Sequence, residues 1–280
     1  MHLIRRAFGV ERALPLLGKS DVFKGLTIDL SDNIHSKVLK DPRSFQASLK
    51  RTIEDNTKEG TKGLWLKIPI EQSELVPIAT KLGFEYHHAE RNYVMMTSWL
   101  PDVSKHPNKL PRCPQHFIGA GGAAIDVENR QILLITERTE FFPSSGEKID
   151  HWKIPGGQLD DPDESIGDCA VREVYEETGV KTEFKAVLSF RHLHNFRFEK
   201  SDIYFICLLS PIDKTLNPDP VEIDKCQWVS LDEYFAMDKL RPVQKAAMNS
   251  VKEYIKDPNK CLKTYDVSPS PIHRGLMYKV

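Results

Sequence analysis

Arg172, Glu173, Glu176 and Glu177 are spaced so that the glutamates lie one, four and five residues beyond the arginine, and Glu164 precedes the group. On a helix, residues three and four apart share a face, so this spacing predicts one acidic stripe. Four carboxylates (Glu164, Glu173, Glu176, Glu177) near one helix repel one another. The arrangement is costly unless divalent cations neutralise it or Arg172 pairs with part of it. The residues therefore point to metal-dependent chemistry at carboxylate oxygens. A solvated helix face laced by Glu–Arg pairs would carry the same charges, but it would require neither this spacing nor the glycines that flank it.

The helix can be framed from the residues around the stripe. Asp163 or Ser165 can cap its start, Ile166, Ala170 and Val174 repeat on an apolar side, and Gly179 stops it. Upstream, Trp152, Ile154 and Pro155 read as a strand entering a tight turn at Gly156 and Gly157, where small residues admit a ligand or ion close to the backbone. Downstream, residues 187–190 begin a new strand.

This stretch resembles the Nudix box: a Gly, five residues, a Glu, seven residues, then Arg-Glu, an aliphatic, any residue, Glu-Glu, any residue, Gly and an aliphatic. Arg172, Glu173, Val174, Glu176, Glu177, Gly179 and Val180 match, and Glu164 stands at the family's distance before Arg172. There is one departure. Six residues, 158–163, separate Gly157 from Glu164 where the family has five, and the extra length includes Pro162. The resemblance implies an α/β/α sandwich with a mixed sheet and hydrolysis of a nucleoside diphosphate linked to another group, with Mg2+ or Mn2+ as cofactor. It assigns metal binding to Glu173, Glu176 and Glu177. The Gly157 carbonyl joins them where the inserted residue leaves it in place, and Glu222 stands where relatives carry an extra acidic residue. Glu164 then pairs with Arg172 and orients the ligands. The chemistry is coherent, because divalent ions neutralise an anhydride's charge and lower the pKa of an attacking water.

For substrate contact the sequence offers several residues, each with a plainer alternative. Strands are expected at 118–125 and 132–137 around the Glu128-Asn129-Arg130 turn, followed by a loop at 141–150. Phe141, Phe142 or Trp152 can stack on a nucleobase or fill the core beneath that loop. Arg138 can meet a phosphate or point to solvent. Residues 191–202 read as a polar, turn-like loop, in which His194 is the candidate for substrate contact or proton transfer.

The chain as a whole has 280 residues, 39 basic against 40 acidic side chains and 40% hydrophobic content, enough for two compact domains. Near-neutral charge gives no footprint for bulk nucleic acid. Five cysteines without a CxxC pair argue against a disulfide framework or a zinc site. No apolar run is long enough to cross a membrane, and a cytoplasmic location is expected. Arg5, Arg6 and Arg12 leave a mitochondrial alternative open, although Glu11 and Asp21 interrupt that signal.

Pro101, Pro107, Pro111 and Pro114 break every periodic pattern, which suggests a domain at 1–100, a linker at 101–114, the catalytic domain at 115–260 and a tail at 261–280. The first domain reads as α/β: strands at 26–30 and 63–68, helices at 44–58 and 74–81, and a closing pair at 84–88 and 93–99. Residues 63–69 and 83–90 resemble the domain that precedes the Nudix fold in plant ADP-ribose/NADH pyrophosphatases and in an animal Nudix protein encoded antisense to basic fibroblast growth factor. In outline this domain also looks like half of an acetyltransferase fold, without a glycine-rich loop for acetyl-CoA. His87 and His88, adjacent on a strand, should point to opposite faces and serve packing at a domain or subunit interface, which leaves a homodimer open. Trp65, Trp99 and Trp228 read as core or interface anchors.

The partner expected from all this is a small nucleotide. The proline that many ADP-ribose-specific relatives carry beyond the box is absent, and so is the NADH-type Ser-Gln-Pro-Trp-Pro pattern. ADP-ribose and NADH lead through the resemblance alone, with CoA derivatives, nucleoside triphosphates and capped RNA still open. The alternative of another class is a nucleotide sensor that binds in this pocket with little catalysis.

Overall fold

In the computed structural model of the chain, residues 13–39, 41–138, 151–267 and 275–280 are described. Contacts divide it into two units, Met1–Pro114 and Gln115–Val280.

The first unit contains β1 (Lys19–Ser20), β2 (Gly25–Asp29), α1 (Pro42–Glu59), β3 (Gly63–Pro69), α2 (Val76–Lys81), β4 (Glu85–Glu90) and β5 (Tyr93–Trp99). Its sheet runs β1-β2-β3-β5-β4, parallel only between β2 and β3. Helix α1 starts where Asp41 accepts hydrogen bonds from the Arg43 and Ser44 amides, with Pro42 in the first turn, and ends at Gly60 in the left-handed region. It seats Phe45 and Leu49 against Ile28, Leu64, Leu66 and Met96 of the sheet.

Two expectations for this unit are corrected. His87 and His88 do not diverge: a register shift between Tyr86 and His88 bulges the strand and brings their Nδ1 atoms to 2.7 Å. His88 Nε2 also reaches the Tyr93 hydroxyl at 3.2 Å, and His87 Nε2 reaches the Pro111 carbonyl at 3.0 Å. The proline segment belongs to this unit rather than hanging between two. Trp99 Nε1 donates to the His106 carbonyl at 2.9 Å, and the Leu110 side chain lies over Gly63, where a Cβ would leave it no room.

The second unit contains β6 (His116–Asp126), β7 (Gln131–Glu137), β8 (Gly156–Gln158), α3 (Ile166–Thr178), β9 (Thr182–Arg197), β10 (Lys200–Pro211), β11 (Ile223–Ser230), α4 (Leu231–Ala236), α5 (Pro242–Lys256), β12 (Lys263–Asp266) and β13 (Leu276–Lys279). The main sheet runs β11-β7-β6-β10-β9, with β8 also on β6, and is parallel only between β6 and β10. Alternation along the strands makes two apolar faces. Ala123, Ile125, Ile132 and Leu134 face a core shared with Tyr234 of α4 and Ala247, Met248 and Val251 of α5. Ala120, Ala124 and Leu133 face Cys169, Ala170 and Val174 of α3. Helices thus cover both faces of a mixed sheet. Residues 261–267 and 275–280 continue this unit: Leu262 bridges Val187, β12 pairs β13, and Leu262 and Tyr278 pack beside the α3-side core. Among the described residues no helix is long and apolar enough to cross a membrane.

Residues 191–202 are not a loop. β9 runs through to Arg197 and β10 starts at Lys200, joined by a turn with Phe198 and Glu199 at positive φ. These polar residues join the ladder because β10 is anchored along β6 and carries its antiparallel neighbour with it, pairing Asp202 with Leu193 and Tyr204 with Arg191.

Candidate active site

Helix α3 carries the acidic stripe and is bounded by local signals. Ser165 accepts from the Asp168 amide while the Asp168 carboxylate reaches back to Ser165, and Gly179 closes the helix at φ 74. Arg172 gathers the carboxylates around it. Its Nε donates to Glu164 Oε1 at 2.7 Å and its Nη2 to Glu164 Oε2 at 3.1 Å. Its Nη1 reaches Glu173 Oε1 at 3.0 Å and Glu176 Oε2 at 2.9 Å, and Nη2 also reaches the Gln158 carbonyl at 3.0 Å. The hydrogen bonds from Arg172 hold the Glu164 carboxyl below its ordinary range, as a charge-assisted pair should. Glu173 moves the other way, because burial outweighs its contact with Arg172.

Glu177 points elsewhere. It is 6% exposed, accepts from the Gly156 amide at 2.7 Å, and lies 3.7 Å from Lys153 Nζ. Burial pushes its carboxyl up to about 7, although Lys153 and the Gly156 amide pull against it. Lys153 is a member of this cluster that the sequence did not single out. An isolated bridge between Ile135 and Lys153 places it there, and its ammonium also donates to Glu137. Burial disfavours that charge, but Glu177, Glu137 and Glu173 more than offset it, and the pKa of Lys153 is raised. The one sequence signal was its alternation with Trp152 and Ile154.

The two glycines divide their tasks. Gly157 is the close approach: a Cβ there would lie 2.4 Å from Glu173 Oε1. Its own carbonyl is turned to β6, since Gly157 pairs with Ala120 in a ladder whose neighbouring bonds run from Leu159 N–H to the Ile118 carbonyl and from Gly122 N–H to the Pro155 carbonyl. The peptide edge that faces Glu177 is that of Gly156.

Among the described residues no three His, Cys, Asp or Glu side chains converge on a point that would hold a metal ion. The reason is visible in the pairing: Glu164, Glu173 and Glu176 are drawn onto Arg172, and Glu137 and Glu177 onto Lys153. The donor set nonetheless fits a hard divalent cation. It is all oxygen, and five glutamates face two cationic side chains.

A cavity of about 530 Å3 is lined by Glu137, Lys153, Gly156 and Gly157 together with Arg191, Asp202 and Tyr204. Of the substrate candidates, Phe141 and Phe142 lie outside the described residues. Trp152 is half-buried and packs against the core on the α5 side. Arg138 is exposed and donates its amide to the Glu222 carbonyl at 2.9 Å. Glu222 is exposed, with its own amide on Asp219 Oδ1, and no contact joins its side chain to the helical glutamates among the described residues. His194 is exposed and lies against His192, with ring centroids 4.1 Å apart, while its neighbours Phe196 and Arg197 line the cavity in its place.

A mixed sheet between helices, with a glycine strand feeding a glutamate helix, defines the class, and comparison with known sequences agrees. Residues 16–100 match the family model described as Nudix hydrolase domain, and residues 116–251 match the NUDIX domain model. Nucleoside diphosphate-linked moiety X motif 6 of Homo sapiens is 35% identical over 96% of this chain and 82% of its own length. Nudix hydrolase 8 of Arabidopsis thaliana is 42% identical over 82% of this chain, which spans 59% of that protein's length. The crystal structure of a MutT Nudix hydrolase from Burkholderia pseudomallei aligns with 49% of this chain and 98% of its own at 21% identity and a TM-score of 0.39, a level that bears on neither site nor substrate. The chain belongs to the Nudix hydrolase family.

Proposed function

We propose that the protein hydrolyses the pyrophosphate bond of a nucleoside diphosphate derivative, with ADP-ribose or NADH as substrate, Mg2+ or Mn2+ as cofactor and AMP as one product. The observation that carries this reading is the buried Glu177, held against Lys153 and the Gly156 amide, which themselves line a cavity of nucleotide size. Divalent ions, when bound, neutralise the anhydride oxygens and lower the pKa of the attacking water.

The chain's own residues do the rest. Glu173, Glu176 and Glu177 supply carboxylate ligands, and the Gly156 carbonyl, on the same edge as Glu177, takes the part expected of Gly157. Glu164 acts through Arg172, which it grips with both oxygens, and so sets where Glu173 and Glu176 sit. Lys153 lies where substrate phosphate charge would arrive and holds the unliganded site together until then. In this reading the first unit, acetyltransferase-like in outline, is an accessory fold.

The test is a substrate panel with Mg2+ and with Mn2+ in water enriched in heavy oxygen. Hydrolysis at phosphorus gives AMP with ribose 5-phosphate or reduced nicotinamide mononucleotide, the label in a terminal phosphate, and no free base. Release of adenine or nicotinamide sinks the reading. The sensor alternative draws support from the pairing of the glutamates with Arg172 and Lys153, and nucleotide binding without turnover on the whole panel would establish it instead.

A further inference from the structure

The geometry points to Asp202 and Arg191 as the pair that selects the substrate, by reading the edge of a planar ring that presents an N–H donor beside an sp2 acceptor. This rests on the pyrophosphatase reading above and names what occupies its cavity.

Asp202 is 2% exposed, and its Oδ2 accepts no hydrogen bond, although Arg191 Nη2 lies 3.2 Å away. Arg191 Nε, also buried, has no acceptor. A pair built only to brace the sheet would close as a fork, with two parallel bonds satisfying both groups. Here a buried acceptor and a buried donor are left over side by side, which is costly in an unliganded protein. Both residues line the cavity that Gly156, Gly157 and Lys153 also line.

The fold sets this up. The register of β9 on β10 shifts between Lys200 and Asp202, an irregularity of the kind that re-aims a side chain, and Arg191 lies over the Tyr204 ring at 5.4 Å. Tyr204 and Phe196 add aromatic surface suited to a flat ring. A ring that satisfies both leftover groups donates to Asp202 Oδ2 and accepts from Arg191 Nε. The amino group and ring nitrogen of adenine do this, and so does the carboxamide of a nicotinamide. In the pose that adenine takes, hypoxanthine reverses this edge: its carbonyl sets an acceptor against Asp202, and its N1–H, where adenine has a bare ring nitrogen, sets a donor against Arg191.

Three substrates separate these cases in the full chain with Mg2+: NADH, its hypoxanthine analogue (deamino-NADH) and ADP-ribose. If adenine is read, kcat/KM for deamino-NADH falls at least tenfold below NADH, through KM, while ADP-ribose keeps pace. If the carboxamide is read, ADP-ribose falls tenfold below both dinucleotides. In either case Asp202→Asn narrows the gap to less than threefold, the favoured substrate losing through KM. Arg191→Lys, which keeps the charge and loses Nε, narrows it likewise, and this covers an Asp202→Asn protein that does not fold.

Wild-type rates equal within twofold on all three substrates overturn the assignment, as does Asp202→Asn lowering all three alike through kcat. Calorimetric binding is the second readout and does not depend on turnover. If none of the three is hydrolysed, the pyrophosphatase reading fails by itself, and the assignment is decided by affinity. A tenfold preference for AMP over IMP, or for NADH over ADP-ribose, that Asp202→Asn abolishes sustains it. Equal affinities end it.

Discussion

At the scale of single residues, the glutamates of α3 differ in what they hold up, and substitutions should separate those roles. Glu176 is exposed and shares Arg172 with Glu164 and Glu173, so Glu176→Gln removes a charge from the proposed metal site with little consequence for packing. Its hydrolytic rate should fall about 10^2-fold or more, while its melting temperature stays with the wild type. Turnover at the wild-type rate would remove Glu176 from the metal site. Lys153 is the opposite case. Lys153→Met keeps the apolar stem but leaves Glu137 and Glu177 facing each other without a cation. Removing one partner of a buried ionic cluster costs about 3 kcal/mol, so the variant should melt well below wild type in chelator. Mg2+ should then recover more stability in it than in the wild type, because the divalent ion supplies the missing charge. An unchanged melting point in chelator would show that Lys153 does not offset the glutamates.

At the scale of elements, the turn joining β6 to β7 carries its own acid-sensitive lock. Asp126 accepts from Lys214 Nζ at 2.8 Å, from the Asn129 amide at 3.0 Å and from Asn129 Nδ2 at 2.7 Å. The bond from Lys214 first, then those from Asn129, lower its carboxyl to about 2 from the ordinary 3.8. Since the folded value lies below the unfolded one, the stabilisation is present above pH 3.8 and is lost as the pH falls towards 2. Asp126→Asn should therefore destabilise the protein at pH 7 by about 1 kcal/mol, discounted for solvent screening, and by much less near pH 2. Urea melts at the two pH values measure the difference, and an equal offset at both would mean that the turn does not depend on the ionised carboxylate.

At the scale of the whole molecule, each unit has a core of its own: one around Phe45, Leu49 and Leu64, the other two on either face of the β6–β7–β10 sheet. Separate cores predict separate cooperative transitions in calorimetry. Among the described residues, those that form the candidate site and line its cavity belong to the second unit. Mg2+ with a non-hydrolysable nucleotide at about a hundred times its Kd should therefore raise that unit's transition alone, by about 2.7 kcal/mol. A first-unit transition that moves by the same amount would contradict this division of labour.

What could be read along the chain is what depends on near neighbours. The stripe of Glu173, Glu176 and Glu177, its cap at Ser165 and its stop at Gly179 all lie within one helix and its ends, so spacing alone carries them. The pairing of Arg172 with Glu164 follows from a short separation across one turn. The strands at β6 and β7 are equally local, apolar runs on either side of an Asn-containing turn. Pairing between distant segments decided the rest. Lys153 joins the glutamates only because it bridges Ile135, and the peptide edge of Gly156 rather than that of Gly157 faces Glu177 only because β8 lies against β6 in one register. His87 and His88 meet through a bulge that alternation does not foresee. Residues 191–202 look like a loop until β10 is laid parallel to β6, and only then do Arg191 and Asp202 come together in a cavity while His194 turns to the surface. Helical spacing is set by bonds four residues long, whereas a strand's partner, register and irregularities are set by chain that folds back from far away.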